Sequence, residues 1–265
     1  MRKILLATNA HDIKTSAVDF GCYVANLTSS PLTGILLEHA HEPELATTLV
    51  MPGDKEFETA IPVNIATGVN VFCNRCLHDD ARHSVQHVKG NPLHEMIKES
   101  LYADVIIADG NTSFNERDGW PSTFVGDLLE NAKCPVIISP FDFDEINEVV
   151  FAYDGTDSSV FAMKQFIYLF PELSDVKITL LQVLKDEDAD ITEKDKLKQL
   201  LMMHYSAVHY DTLHGNADME LFKKFLAQRN KILVMGAYGR KKFLGRSTAD
   251  ILLKTLNIPI FIAHY

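Results

Sequence analysis

The sequence predicts two related α/β domains in tandem, each a doubly wound sheet of five parallel strands flanked by helices, and three observations carry that prediction. Landmarks of the N-terminal half return in the same order in the C-terminal half. Short apolar runs alternate with helical patterns at a spacing that suits strand, helix, strand units. Each half closes on an apolar run beside a proline.

The opening strand is Ile4-Leu5-Leu6-Ala7-Thr8-Asn9, and Val149-Val150-Phe151-Ala152-Tyr153-Asp154 repeats it with an offset of 145 between Ala7 and Ala152. Both are apolar enough to be covered on two faces, as parallel strands are. Next, the run from Val85 to Gly90-Asn91 matches the run from His209 to Gly215-Asn216, now at an offset of 125. In each the glycine ends a strand and the asparagine caps the following helix. The run Asp104 to Gly110 then matches Asn230 to Gly236, and Cys134-Pro135-Val136-Ile137-Ile138 matches Ile258-Pro259-Ile260-Phe261-Ile262. The fall in offset places roughly 20 extra residues in the N-terminal half, near 40–84. The expected domains are therefore 1–143, carrying this insertion, and 144–265.

The C-terminal half is the more regular. It reads as strands at about 148–154, 176–184, 207–213, 231–236 and 259–263, with helices at about 157–170, 192–203, 217–229 and 246–256. Parallel neighbours require right-handed crossovers. Ligands of such sheets bind beyond the carboxyl ends of the strands, where the strand order reverses.

Bulk properties limit the function classes. The 265 residues are 46% hydrophobic, enough for a core in each half. A net charge of −11 disfavours nonspecific nucleic-acid binding, which needs a surplus of Lys and Arg. Met1-Arg2-Lys3 runs straight into a strand, and no apolar run approaches the length of a membrane span, so a cytoplasmic protein is expected. Cys22 and Cys134 read as small apolar groups. Cys73 and Cys76 form a C-x-x-C near His78, but no second ligand pair stands at zinc spacing, and a helix face is the better reading. His39 and His41, with His11, read as strand-end or surface histidines, and no metal site is expected.

Three C-terminal segments converge on the predicted crevice. In Asp154-Gly155-Thr156-Asp157-Ser158-Ser159 a carboxylate stands at a strand end, where it either accepts from a ribose or an adenine amine or closes the turn. The backbone near Val183, at the end of the second strand, can meet an adenine edge. The third segment runs from Met235-Gly236-Ala237-Tyr238-Gly239 through Gly245-Arg246 to Ser247-Thr248. Its glycines let backbone N–H groups approach a polyphosphate, and its hydroxyls begin the next helix. Arg240, Lys241, Lys242 and Arg246 add four cations to an acidic chain.

With these residues the chain resembles the tandem universal stress proteins over both halves, and so a Rossmann-like fold of the adenine nucleotide α-hydrolase type. The resemblance rests on Ala152-Tyr153-Asp154, the Gly-Asn pairs, the G-x-x-G of Gly236 and Gly239, and the proline before each last strand. The ATP-binding branch of that family has an aspartate at the Asp154 position and a motif G-x-x-G, nine residues, then G-[ST]. The resemblance implies ATP or another adenine nucleotide, with magnesium as an accompaniment. Asp154 would meet the ribose, Ala152 and Val183 the adenine, and Gly236, Gly239, Ser247 and Thr248 the phosphates, with Met235 and Gly245 beside them. This chain departs from the motif in having five residues between Gly239 and Gly245, and counting back from Pro259 puts Arg246 at the family's glycine.

The N-terminal half has lost more. Asn9 replaces the aspartate, Ser113 stands for Gly239, and Ser122-Thr123 replaces the Gly-Ser pair, leaving Gly110. A structural or partner-binding role is expected there, and Trp120 offers a contact. The resemblance also implies an intramolecular pseudo-dimer through the two last strands, with a further homodimer as an option. Neither a P-loop lysine nor a G-x-S-x-G elbow is present, so slow ATP hydrolysis is the most catalysis expected. The remaining alternative is a nucleotide-free scaffold or small-ligand binder that uses the 40–84 insertion as a contact surface.

Overall fold

The computed structural model describes residues 1–39, 46–50, 63–115, 118–119, 121–185, 190–226, 228–236 and 257–264. The chain divides into two compact units, Met1–Ser139 and Pro140–Tyr265.

In the first unit β1 (Ile4–Asn9) lies between β2 (Leu32–His39) and β5 (Val105–Asp109), with β4 (His83–Gly90) beyond β2 and β6 (Val136–Ser139) beyond β5, all parallel. Helices α1 (Thr15–Leu27), α2 (Val63–His78), α3 (Pro92–Ser100) and α4 (Thr123–Asn131) form the crossovers. To the five expected strands the unit adds a sixth, β3 (Ala46–Val50), which runs antiparallel to β4 with Ala46 opposite Lys89 and Val50 opposite Val85. It falls inside the predicted insertion. Its physical role is to pair the outer edge of β4, whose N–H and C=O groups would otherwise face water as an open template.

In the second unit β7 (Glu148–Tyr153) lies between β8 (Lys177–Leu184) and β10 (Lys231–Gly236), with β9 (His209–His214) beyond β8 and β11 (Ile260–Ala263) beyond β10, all parallel. Helices α5 (Asp157–Leu169), α6 (Lys194–Met202) and α7 (Ala217–Phe225) are described, with a 3₁₀ turn at Pro171–Leu173 that the apolar pattern did not signal. The helix expected at about 246–256 lies outside the described residues.

Local chemistry accounts for the helix starts. Asn91 Oδ1 accepts from the His94 N–H at 3.0 Å, with Pro92 in the first helical turn, and Asn216 Oδ1 accepts from the Met219 N–H at 3.1 Å. Each satisfies an orphan amide donor, which is why both halves keep a Gly-Asn pair at this place. In each unit the first strand has its second strand on one side and its fourth parallel strand on the other. The order therefore reverses between β1 and β5 and between β7 and β10, which fixes where a crevice opens.

The second core centres on aromatic rings. Phe166 of α5 packs 5.8 Å from Phe151 of β7, 5.0 Å from Phe170 and 5.2 Å from Phe261 of β11, centroid to centroid. These contacts clamp α5 onto the sheet and so position its first turn.

At the opposite, amino end of this sheet, buried Glu148 accepts from Thr179 Oγ1 at 2.6 Å and pairs with Lys231 at 2.6 Å and Lys177 at 3.2 Å. Burial would raise its carboxyl, but hydrogen bonds from Lys231 and Thr179 and the Lys231 charge outweigh it and hold the carboxyl below its ordinary 4.5. Because the folded value is depressed, the stabilisation is complete above pH about 4.5 and is lost as pH falls through the folded value. We expect Glu148→Gln to cost about 2–3 kcal/mol at pH 7, since it leaves Lys231 without its counter-charge. Urea denaturation at pH 7 and pH 3 should show that penalty shrinking on acidification.

Candidate functional site

In the second unit the strand order reverses where β7 and β10 end side by side, the place predicted for a ligand crevice. Ala152 is half-buried and stands in register between Leu181 of β8 and Met235 of β10. Val183 is half-buried one strand over, and Met235 and Gly236 are buried at the end of β10. Asp154 follows β7 and is exposed. The structure thus brings Ala152, Asp154, Met235 and Gly236 to one end of adjacent strands, with Val183 on their flank. Gly239, Gly245, Ser247 and Thr248, with Arg240, Lys241, Lys242 and Arg246, lie outside the described residues.

Asp154 Oδ1 accepts from the Thr156 N–H at 3.0 Å and from Thr156 Oγ1 at 2.6 Å, closing an Asx turn. Gly155 between them has φ +83°, a left-handed conformation open to glycine. Thr156 in turn caps α5, its Oγ1 accepting from the Ser159 N–H at 3.3 Å. One carboxylate oxygen is therefore spent on the turn, and Oδ2 makes no hydrogen bond among the described residues. The two readings of Asp154 left open by the sequence are compatible, because they use different oxygens.

Gly236 has a packing reason of its own. A Cβ built there would sit 2.5 Å from the Ser158 carbonyl oxygen and 2.5 Å from the Ser159 nitrogen. The first turn of α5 is pressed against the end of β10, leaving no room for a side chain. Beside this contact the Ser158 hydroxyl is buried without a hydrogen-bond partner among the described residues. The sequence placed Ser158 in a converging segment without giving it a role, whereas the D-x-T spacing of Asp154 and Thr156 is a recognisable turn pattern. Burial first, then the Glu193, Asp154 and Asp157 carboxylates, push the Tyr153 hydroxyl up against the opposing Lys196 charge.

The corresponding place in the first unit is built differently. Asn9 Oδ1 accepts from the His11 N–H at 2.9 Å, the same turn that Asp154 makes, while its Nδ2 donates to the Ser113 carbonyl at 2.8 Å. An aspartate could not make that second bond. The loop after β5 spends three of its backbone donors internally: Asn111 N–H on Asp109 Oδ1 at 2.7 Å, Thr112 N–H on Asp109 O at 2.9 Å, and Asn115 N–H on Ser113 Oγ at 3.1 Å. Asp118 adds a carboxylate, accepting from Ser113 Oγ and from Thr123 Oγ1, each at 2.6 Å. Slight burial acts to raise Asp118, but these hydrogen bonds outweigh it and hold its carboxyl below the ordinary value. A side-chain anion thus sits at the start of α4, on Ser113 and Thr123, which stand in sequence where the other half has Gly239 and Ser247.

A cavity of about 480 Å³ remains in this unit, lined by Asn9, His11, Glu38, His39, Ser113, Phe114 and Asn115. Glu38 is held from behind by His87, whose Nε2 lies 2.9 Å from Glu38 Oε2. The cavity joins His11 and His39, which the sequence had placed together only by suggestion; His41 and Trp120 lie outside the described residues. Among the described residues no three His, Cys, Asp or Glu side chains are arranged to hold a metal ion, and no helix is long and apolar enough to cross a membrane.

No family model matches the chain. Its sequence is 25% identical over 139 residues to a universal stress protein of Synechocystis sp., Slr1230, a match covering 50% of this chain and 48% of that protein. The chain thus spans about half the length of the curated relative it matches. Its fold is similar to a universal stress protein from Archaeoglobus fulgidus, with a TM-score of 0.71, 13% identity and 98% of each chain covered. It is also similar to a putative universal stress protein from Pseudomonas aeruginosa, with a TM-score of 0.58, 13% identity, 98% of this chain and 92% of the other. In sequence over half its length, and in fold over nearly all of it, this chain is similar to universal stress proteins.

Proposed function

We propose that the chain is a stress-response binding protein that holds one adenine nucleotide in its C-terminal unit, while the N-terminal unit serves a structural or partner-binding role. The observation that supports this reading most is the convergence of Asp154, Gly236 and the start of α5 at the strand-order reversal, with a buried, unpartnered Ser158 hydroxyl beside them. Asp154 Oδ2 would accept from the ribose, and Ala152 and Val183 would border the adenine. Gly239, Gly245, Ser247 and Thr248 would receive the phosphates, with magnesium bound through those phosphates. The cations Arg240, Lys241, Lys242 and Arg246 would offset the phosphate charge. Calorimetric titration with ATP, ADP, AMP and a GTP control tests it. The expected result is one adenine-specific site per chain with no turnover beyond slow hydrolysis; equal response to GTP, or none at millimolar ligand, would remove the reading.

A second reading applies to the N-terminal cavity, where the Asn115 amide and the nearby Asn111 and Thr112 amides are already bonded and whose described lining carries no Lys or Arg. If it takes a ligand, that ligand is small and free of phosphate. The Asp118 carboxylate supports this exclusion. Asp118→Ala is expected to cost about 1–2 kcal/mol by freeing the Ser113 and Thr123 hydroxyls. Millimolar inorganic phosphate should then restore part of the melting temperature of the variant and leave the wild type unchanged.

A further inference from the structure

We propose that Cys22 and Cys76 are a modification site, joining as an intramolecular disulfide that staples α1 to α2 when the protein meets a hydroperoxide. The two sulfurs lie 3.6 Å apart, Cys22 Sγ donating to Cys76 Sγ, and both residues are wholly buried. Bond formation shortens that separation to about 2.05 Å, an approach of about 1.5 Å between two side chains already facing each other. The helices are held in register by their own contacts: Arg75 pairs with Asp19 at 3.1 Å, and Asn26 Nδ2 donates to the Asp79 carbonyl at 2.8 Å. Neither the nucleotide reading nor the C-x-x-C pattern assigns this pair. The pattern joins Cys76 to Cys73, whereas the fold joins it to a residue 54 positions away.

The reaction balances without any other reagent. Two S–H bonds break, one S–S bond forms, and the hydroperoxide O–O bond takes up the two electrons and two protons to leave an alcohol and water. The hydrogen bond with Cys22 and then burial push the Cys76 thiol well up, and burial pushes Cys73 up. Thiolate is scarce in the closed structure, so oxidation proceeds through local opening of the α1–α2 contact and is slow. Once formed, the bond closes a loop that contains β2 and β3 and restricts the unfolded chain. It therefore raises the melting temperature.

Peptide mapping of the oxidised full chain decides the matter, because Arg75 separates Cys73 from Cys76 in a tryptic digest. After treatment with hydrogen peroxide and alkylation of remaining thiols, peptide 15–55 should be found linked to peptide 76–82. The melting temperature should rise and return to its starting value with dithiothreitol. Cys73→Ser should keep the link and Cys22→Ser should abolish it. Linkage of peptide 56–75 to 76–82 would overturn the proposal, as would recovery of alkylated Cys22 and Cys76 after prolonged oxidation under mild urea.

Discussion

Gly236→Val is expected to unfold the C-terminal unit with no ligand present. The added Cβ alone would lie 2.5 Å from two backbone atoms of Ser158 and Ser159, and backbone cannot swing aside as a side-chain tip can. Either α5 lifts from the sheet or β10 shifts out of its ladder with β7 and β11. Overpacking against rigid neighbours costs several kcal/mol, and we expect about 4 kcal/mol or more here, a large fraction of the net stability of a domain of this size. Circular dichroism should show lost helix, and hydrogen exchange should show the loss confined to residues beyond 140. The first unit has its own core, so unfolding becomes stepwise. A variant with the wild-type melting temperature would show that α5 and β10 are not pressed together. The same expectation makes Gly236→Val a poor probe of nucleotide binding, since it removes the fold along with the site; Asp154→Ala, with α5 still capped by Thr156, is the informative variant.

Phe166→Ala is expected to cost about 3–5 kcal/mol, the range for deleting a fully buried aromatic side chain. Phe166 has no exposed surface, and its ring touches Phe151, Phe170 and Phe261, so neighbours from β7 and β11 lose contact together and cannot collapse onto a small residue. The consequence reaches the site. Phe166 lies on the helix whose first turn carries Thr156, Ser158 and Ser159, so its loss should also weaken nucleotide-induced stabilisation. Urea unfolding should show a lower midpoint with an unchanged slope. A loss below about 1 kcal/mol would mean that α5 is anchored by something other than this ring cluster.

The parallel strands and their order of appearance were legible because both signals are local. Apolar runs such as Ile4-Leu5-Leu6 and Val149-Val150-Phe151 announce burial on two faces, and the Gly-Asn pairs announce the caps that Asn91 and Asn216 make. The antiparallel strand β3 was not legible. Its five residues form a strand only because β4 offers an unpaired edge, a fact about the sheet and not about Ala46–Val50.

The site divides in the same way. Asp154 and its turn follow from residues two apart. The packing of Gly236 against Ser158 joins strand to helix across a long separation, and a glycine kept for packing looks in sequence like one kept for phosphate. In the first unit the departures from the other half at Asn9, Ser113 and Ser122-Thr123 are plain in the sequence. That Asp118 accepts from both Ser113 and Thr123 depends on where its loop returns, which no spacing rule supplies.

The most direct test of the account is hydrogen exchange of the whole protein with and without saturating ATP, read by mass spectrometry. The account predicts slowed exchange in peptides covering 154–160 and 232–250, with no change across 109–125. Protection across 109–125 alone, or no protection in either region at millimolar ATP, would contradict it.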